Sequence, residues 1–189
     1  AESLQRRNEN IVAFHDDPQV LGAKARFQPA RLYRMARSKA YLYRGVEIRW
    51  SCDPKAIGPG DDTPADATIH FPGGLADFLA TVVEGRATLT ERPFTGQVTA
   101  QDDAGRVEWA VAWPEDGEPF VSTYCNTVPT PEGGNHDAGL RNALVRGLRT
   151  YGEFAGNKRA GQITADDVVG GACALLSVFL PEPQFQGQT

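Results

Sequence analysis

Hydrophobic positions along this chain switch between two spacings, and the switches mark out elements. Ile11-Val12-Ala13-Phe14 has the make-up of a short strand, and His15-Asp16-Asp17-Pro18 then reads as a turn. Pro29 suits the first residue of a helix running to about Tyr43 and stopped by Gly45. Leu32, Met35, Ala36 and Ala40 share one face of that helix, while Arg31, Arg34 and Lys39 lie mainly elsewhere. Val46 to Trp50 alternates as a half-buried strand does, and the Pro-, Gly- and Asp-rich stretch from Asp53 to Asp66 reads as a loop or linker.

Beyond it, Ala67 to Phe71 forms the next strand. Gly73-Gly74 opens a helix carrying Leu75, Phe78, Leu79 and Val82. Strands follow at Thr95 to Ala100, Val107 to Trp113 and Val121 to Asn126, the first two joined by the hairpin signal Asp102-Asp103-Ala104-Gly105. Val107, Trp109, Val111 and Trp113 share one strand face and Glu108 takes the other. The turn Glu132-Gly133-Gly134-Asn135 opens the best helix in the chain, about His136 to Tyr151, with Leu140, Leu144, Leu148 and Tyr151 as its apolar stripe. At about 100° per residue, Asn142, Arg146 and Arg149 point nearly opposite that stripe and Arg141 lies on its flank. Thr164 with Asp167 reads as the N-cap of a short helix, and Ala174 to Leu180 as a buried strand ended by Pro181 and Pro183. Strand and helix, then a linker, then mixed strands and helices make an α+β chain with a boundary near Asp66.

Composition narrows the class only a little. Of 189 residues, 41% are hydrophobic and 23% charged, the balance of a folded soluble protein, and no apolar run is long enough to span a membrane. Ala1 to Arg7 lacks the apolar core of a secretory signal, so a cytoplasmic location is the default expectation. Cys52, Cys125 and Cys173 are odd in number and widely spaced, which disfavours a disulfide framework or a zinc site and suits small buried hydrophobes. The net charge of −5 argues against a nucleic-acid binder as a whole, yet basic residues recur from Arg26 to Arg49 against one acid, Glu47. A second basic group runs from Arg141 through Arg146 and Arg149 to Lys158 and Arg159. Such a row is ordinarily a solvated helix face; the sharper reading is a surface that meets phosphates without reading bases.

Short motifs for common chemistries are missing: no G-x-G-x-x-G, Walker loop, H-E-x-x-H or G-x-S-x-G occurs. His15, His70 and His136 are isolated, and beside His136 either Asn135 or Asp137 would cap free N–H groups at the helix start. No standalone catalytic centre emerges.

Longer strings say more. Tyr124-Cys125-Asn126-Thr127-Val128-Pro129-Thr130-Pro131-Glu132-Gly133-Gly134-Asn135-His136, continuing to Leu140-Arg141, resembles the transducer signature of bacterial type II DNA topoisomerase ATPase subunits, N-x-I/V-x-T-x-E-G-G-T-H followed by G-F/L-R. Leu176-Ser177-Val178 and Pro183-Gln184-Phe185-Gln186-Gly187-Gln188-Thr189 fit the same family, in which the last string continues to a lysine that reaches the terminal phosphate of ATP. Upstream, Pro29 to Leu42 resembles the last helix of the family's GHKL ATPase domain, and Gly45 to Ile48 the strand after it. Trp50-Ser51-Cys52-Asp53-Pro54 and Phe71-Pro72-Gly73-Gly74-Leu75 are closer to the topoisomerase IV branch than to the gyrase branch.

The resemblance implies the end of a GHKL domain over residues 1–65 and a transducer domain, similar to ribosomal protein S5 domain 2, over 66–189. It implies an intact protein that uses ATP and Mg2+ to pass one DNA duplex through another. Its partners would be DNA, the A subunit of topoisomerase IV and a second copy of the ATPase chain, with no membrane. Gln188 and Thr189 would contact nucleotide, and Asn10 stands where the family's adenine-holding threonine falls. Arg141, Arg146 and Arg149 would face DNA. Three features depart from the family pattern: the nucleotide-pocket motifs and the metal-binding TOPRIM domain are missing, the chain stops one residue before the lysine, and Glu9-Asn10 replaces Gly-Thr. The segment by itself is therefore expected to hydrolyse no ATP and bind no cofactor. The competing reading is a non-catalytic nucleic-acid-binding module with an S5-like fold.

Overall fold

The computed structural model describes residues 10–13, 19, 27–101 and 104–185. Helix α1 (Pro29–Leu42) begins on its proline, whose missing N–H costs nothing in a first turn. It is followed by β1 (Glu47–Ser51) and β2 (Asp66–His70), an antiparallel pair in which Ile48 faces Ile69. The Asp53–Asp66 stretch closes this hairpin: Trp50 Nε1 donates to Pro64 O at 2.8 Å, and Cys52 N donates to Ala65 O. Position 66, expected as the domain boundary, thus lies inside a paired hairpin.

Helix α2 (Leu75–Val82) leads to a five-stranded sheet of β3 (Phe94–Thr99), β4 (Arg106–Ala112), β5 (Phe120–Cys125), β6 (Val128–Pro129) and β7 (Cys173–Phe179). The order is β3-β4-β7-β5-β6, with β5 and β7 parallel and the other neighbours antiparallel. Between β6 and β7 come α3 (Asn135–Phe154) and the short α4 (Ala165–Val169).

The last described strand in sequence is central in space, and its composition explains why. β7 is buried on both faces and reads as an apolar run interrupted only by Ser177. Cys173 and Leu175 pack under α1 and α2 with Tyr41, Leu42, Leu75, Phe78 and Leu79. Ala174, on the opposite face, packs with Val111, Leu144, Val145 and Val168 from β4, α3 and α4. The sheet is therefore a middle layer between two pairs of helices, in a mixed α+β fold. Strand β4 shows the expected split: Trp109 and Val111 face α3, and Glu108 faces α1.

Several sequence readings change. Ile11 to Ala13 are exposed and not in a strand, since no described strand pairs with them; Phe14 lies outside the described residues. The buried side of α3 is Leu144, Val145 and Gly152, with Leu148 and Tyr151 exposed by 41% and 69%. Its contact surface is rotated from the expected stripe because Gly152 rests on the loop after the helix: a Cβ there would come within 2.1 Å of the Ala160 Cβ. On α1 the expected face also shifts: Met35 is exposed, and the buried positions toward the C-terminal end are Ser38, Ala40, Tyr41 and Leu42. Thr164 and Asp167 form a reciprocal capping box, and Cys125 and Cys173 are buried free thiols, with Cys52 half-buried. The hairpin residues Asp102 and Asp103 lie outside the described residues; beside them Ala100 N donates to Gly105 O.

Candidate functional site

Helix α1 and the turn after it meet the sheet through three polar contacts. Lys39 Nζ donates to both the carbonyl and the Oγ1 of Thr127, each at 2.8 Å. The hydroxyls of Tyr41 and Tyr124 lie 2.5 Å apart in the core. Arg44 reaches the nearly buried Glu108 carboxylate at 2.7 Å. Burial holds the Lys39 ammonium below its usual range and, with the bond to Tyr124, lifts the Tyr41 phenol well above its own. Glu108, Ser177 and Tyr124 are register partners on β4, β7 and β5, so one polar row crosses the α1-facing side of the sheet. The Ser177 hydroxyl in that row has no protein partner among the described residues. Gly74 makes room for the ion pair: a Cβ there would stand 2.8 Å from Arg44 Cγ and 3.2 Å from Glu108 Oε1.

Thr127 belongs to a two-residue turn between β5 and β6. Asn126 and Thr127 both have left-handed φ, 47° and 65°, the geometry a tight hairpin with right-twisted strands requires. The Asn126 side chain closes on the chain leaving β7: Nδ2 donates to Leu180 O and Leu180 N donates to Oδ1, both at 2.8 Å. Five residues on, Phe185 packs beside Cys125, Leu176 and Val178. The segment from Leu180 to Phe185 is thereby fixed at both ends. Its continuation, including Gln188 and Thr189, lies outside the described residues.

The Gly-rich turn does not cap α3 with a side chain. Gly134 occupies the N-cap with φ 143°, and Asp137, expected to cap, instead accepts from Arg141 Nε at 2.9 Å. His136 Nε2 lies 2.9 Å from Thr130 Oγ1, which also contacts Thr123 Oγ1 at 2.7 Å. Burial keeps the His136 imidazole below its ordinary value, with Asp137 pulling the other way. An open cleft of about 380 Å³ lies between this turn and β5, with Thr123, Gly133, Asp137 and Arg141 on its walls.

The three arginines of α3 have different environments. Arg141 is half-buried and paired with Asp137. Arg149 donates from Nε and Nη2 to Ile163 O, at 2.9 and 2.5 Å, because the rotated helix brings it to the flank of the buried side. Arg146 is exposed, opposite the core, and has no hydrogen-bond or ion-pair partner among the described residues. Asn10 is exposed. Reading by residue type singled out neither Lys39 nor the Asn126–Thr127 turn. A clue was present in Asn126-Thr127, which stands where a strand ends without the usual glycine.

Among the described residues, no three His, Cys, Asp or Glu side chains come together as a metal site, so no fit to Mg2+ is found there; no helix is long and apolar enough to cross a membrane. A family model described as DNA gyrase B matches residues 74–189. A Caulobacter vibrioides protein, named as the B subunit of DNA topoisomerase 4, is 55% identical over 188 residues, covering 97% of this chain and 27% of that protein. Its namesake from Bartonella bacilliformis is 46% identical, covering 98% of this chain and again 27% of the relative. This chain thus spans about a quarter of the length of the relatives it matches. Among solved structures, the 43K ATPase domain of Thermus thermophilus gyrase B, in complex with an aminocoumarin, superposes with a TM-score of 0.70 at 31% identity, covering 90% of this chain and 44% of that one. The topoisomerase IV ATP-binding domain of Francisella tularensis, in complex with a small-molecule inhibitor, gives 0.64 at 25% identity, covering 88% and 42%.

Proposed function

Since this chain belongs to the DNA gyrase B family, we propose that it is the coupling segment of a topoisomerase IV ATPase chain (the B subunit), linking nucleotide state to movement of DNA. One observation carries this reading: the segment that leads toward Gln188 is fixed to the same turn that holds helix α1. A change at the nucleotide can then reach the sheet through direct contacts, as a ligand-biased switch between two arrangements. The intact protein binds ATP with Mg2+, pairs with a second copy of itself and with the A subunit of topoisomerase IV, and acts in the cytoplasm. Gln188, Thr189 and Asn10 are assigned to the nucleotide. The division at residue 66 assigns 1–65 to the nucleotide domain and 66–189 to the transducer; the five-stranded sheet, built entirely after residue 66, supports it, while the β1–β2 pairing joins the two parts across it.

The α3 arginines are assigned to the transported duplex, and their surroundings rank them. Among the described residues the Arg146 guanidinium has no hydrogen-bond or ion-pair partner and Arg149 donates only to a neutral carbonyl, whereas Asp137 offsets Arg141. The test is DNA stimulation of ATP turnover by the full-length protein. Arg146→Ala should weaken stimulation and flatten its salt dependence, because each lost phosphate contact releases fewer counterions. Equal stimulation in variant and wild type would return this face to the solvent.

A further inference from the structure

Asn126 and Thr127 carry more contacts than a hairpin turn needs. A two-residue turn with both φ values positive favours Asn-Gly, and threonine, branched at Cβ, is poorly suited to the second position. Thr127 is nonetheless buried there, and both of its oxygens are taken by Lys39. Asn126 holds three atoms of the β7 exit: its backbone N–H donates to Val178 O, and its amide makes the paired bonds to Leu180. Two adjacent residues thus face opposite ways, one to the helix and one to the departing chain. A ring contact runs beside them, with Tyr43, just past α1, meeting Phe179 at 6.3 Å between centroids.

We propose that the Asn126–Thr127 turn is a joint through which helix α1 and the root of the terminal segment at Leu180 sense each other's position. The strain at Thr127 is the physical basis. A left-handed threonine persists only where its surroundings hold it, and the Lys39 ammonium is what holds this one. Withdrawing Lys39 lets the turn relax, which moves the neighbouring Asn126 amide off Leu180. Releasing Leu180 loosens the turn from the other side and frees Thr127 from Lys39. As a route for nucleotide signals, the joint rests on the coupling function proposed above; as a mechanical link it does not.

Hydrogen–deuterium exchange on the full-length protein tests it without nucleotide. Lys39→Met keeps the aliphatic stem and removes the donors; it should speed exchange several-fold in the 180–185 peptide, which Lys39 does not touch. Lys39→Arg, which retains donors, should restore most of the protection. In the reverse direction, Asn126→Gly, which suits the turn's φ, should speed exchange in the α1 peptide around Lys39. If either variant loosens only its own contact and leaves the far peptide at the wild-type rate, the joint is refuted. Should Lys39→Met fail to fold, the glycine variant decides alone. A parallel wild-type arm with a non-hydrolysable ATP analogue addresses the nucleotide reading separately: no change at 180–185 would remove that reading while the nucleotide-free comparison still decides the joint.

Discussion

Arg149 illustrates how a residue's role depends on what its helix packs against. Spacing assigned it to the face opposite an apolar stripe, and the rotated helix instead places its guanidinium on the Ile163 carbonyl. Arg149→Ala should therefore cost stability, about 1.5–3 kcal/mol for bonds from a charged donor, seen as a lower urea midpoint. Arg146→Ala, at an exposed position, should shift that midpoint by no more than about 0.5 kcal/mol. His136 provides a pH test. Its folded value lies below the ordinary 6.5, so the neutral ring is favoured in the fold and the unfolded chain takes up the proton first. Stability is full above about pH 6.5 and falls as pH drops toward the lowered folded value. Urea midpoints at neutral and mildly acid pH should converge in His136→Gln; a wild-type-like acid loss in that variant would remove histidine as the cause.

At the scale of elements, hydrophobic spacing located nearly every helix and strand, most clearly α2, β4 and β7, each of which buries an apolar face or run. It could not show which strand is central, since β7 gains its place only by pairing with both β4 and β5, far apart in sequence. Nor could it turn α3 correctly, because the packing of Gly152 against Ala160 is set by a loop rather than by period. Lys39 read as one more surface charge on an amphipathic helix for the same reason: its partner lies 88 residues away. The nucleotide assignments came from motif strings alone. Two substitutions probe these elements. Gly96→Ala would place a methyl within 2.2 Å of the Trp109 ring, so β3 should be weakened by about 1–3 kcal/mol of overpacking, measured as a lower melting temperature. Thr164→Ala removes a reciprocal cap from α4 and should cost about 1 kcal/mol. An unchanged melting temperature in either variant would contradict the packing described for it.

For the whole molecule, the described residues form a five-stranded sheet with a helix pair on each side, together with the two-stranded β1–β2 sheet. The face toward α1 holds buried polar contacts: Lys39 with Thr127, Tyr41 with Tyr124, and Arg44 with Glu108. Such contacts are directional, so they favour one seating of the helix over a slide along the sheet. The face toward α3 is mainly apolar, apart from Thr123, whose hydroxyl meets Thr130 and through it His136. A segment built this way suits the transmission of position from one side to the other, which is the role proposed for it in an ATP-driven topoisomerase. The most direct test is strand passage by the full-length protein, reconstituted with the A subunit of topoisomerase IV and assayed on supercoiled and interlinked DNA circles. Topology should change with ATP, and Gln188→Ala should sharply reduce the change. DNA left unaltered by the wild-type assembly with ATP, or altered equally without it, would contradict the coupling role.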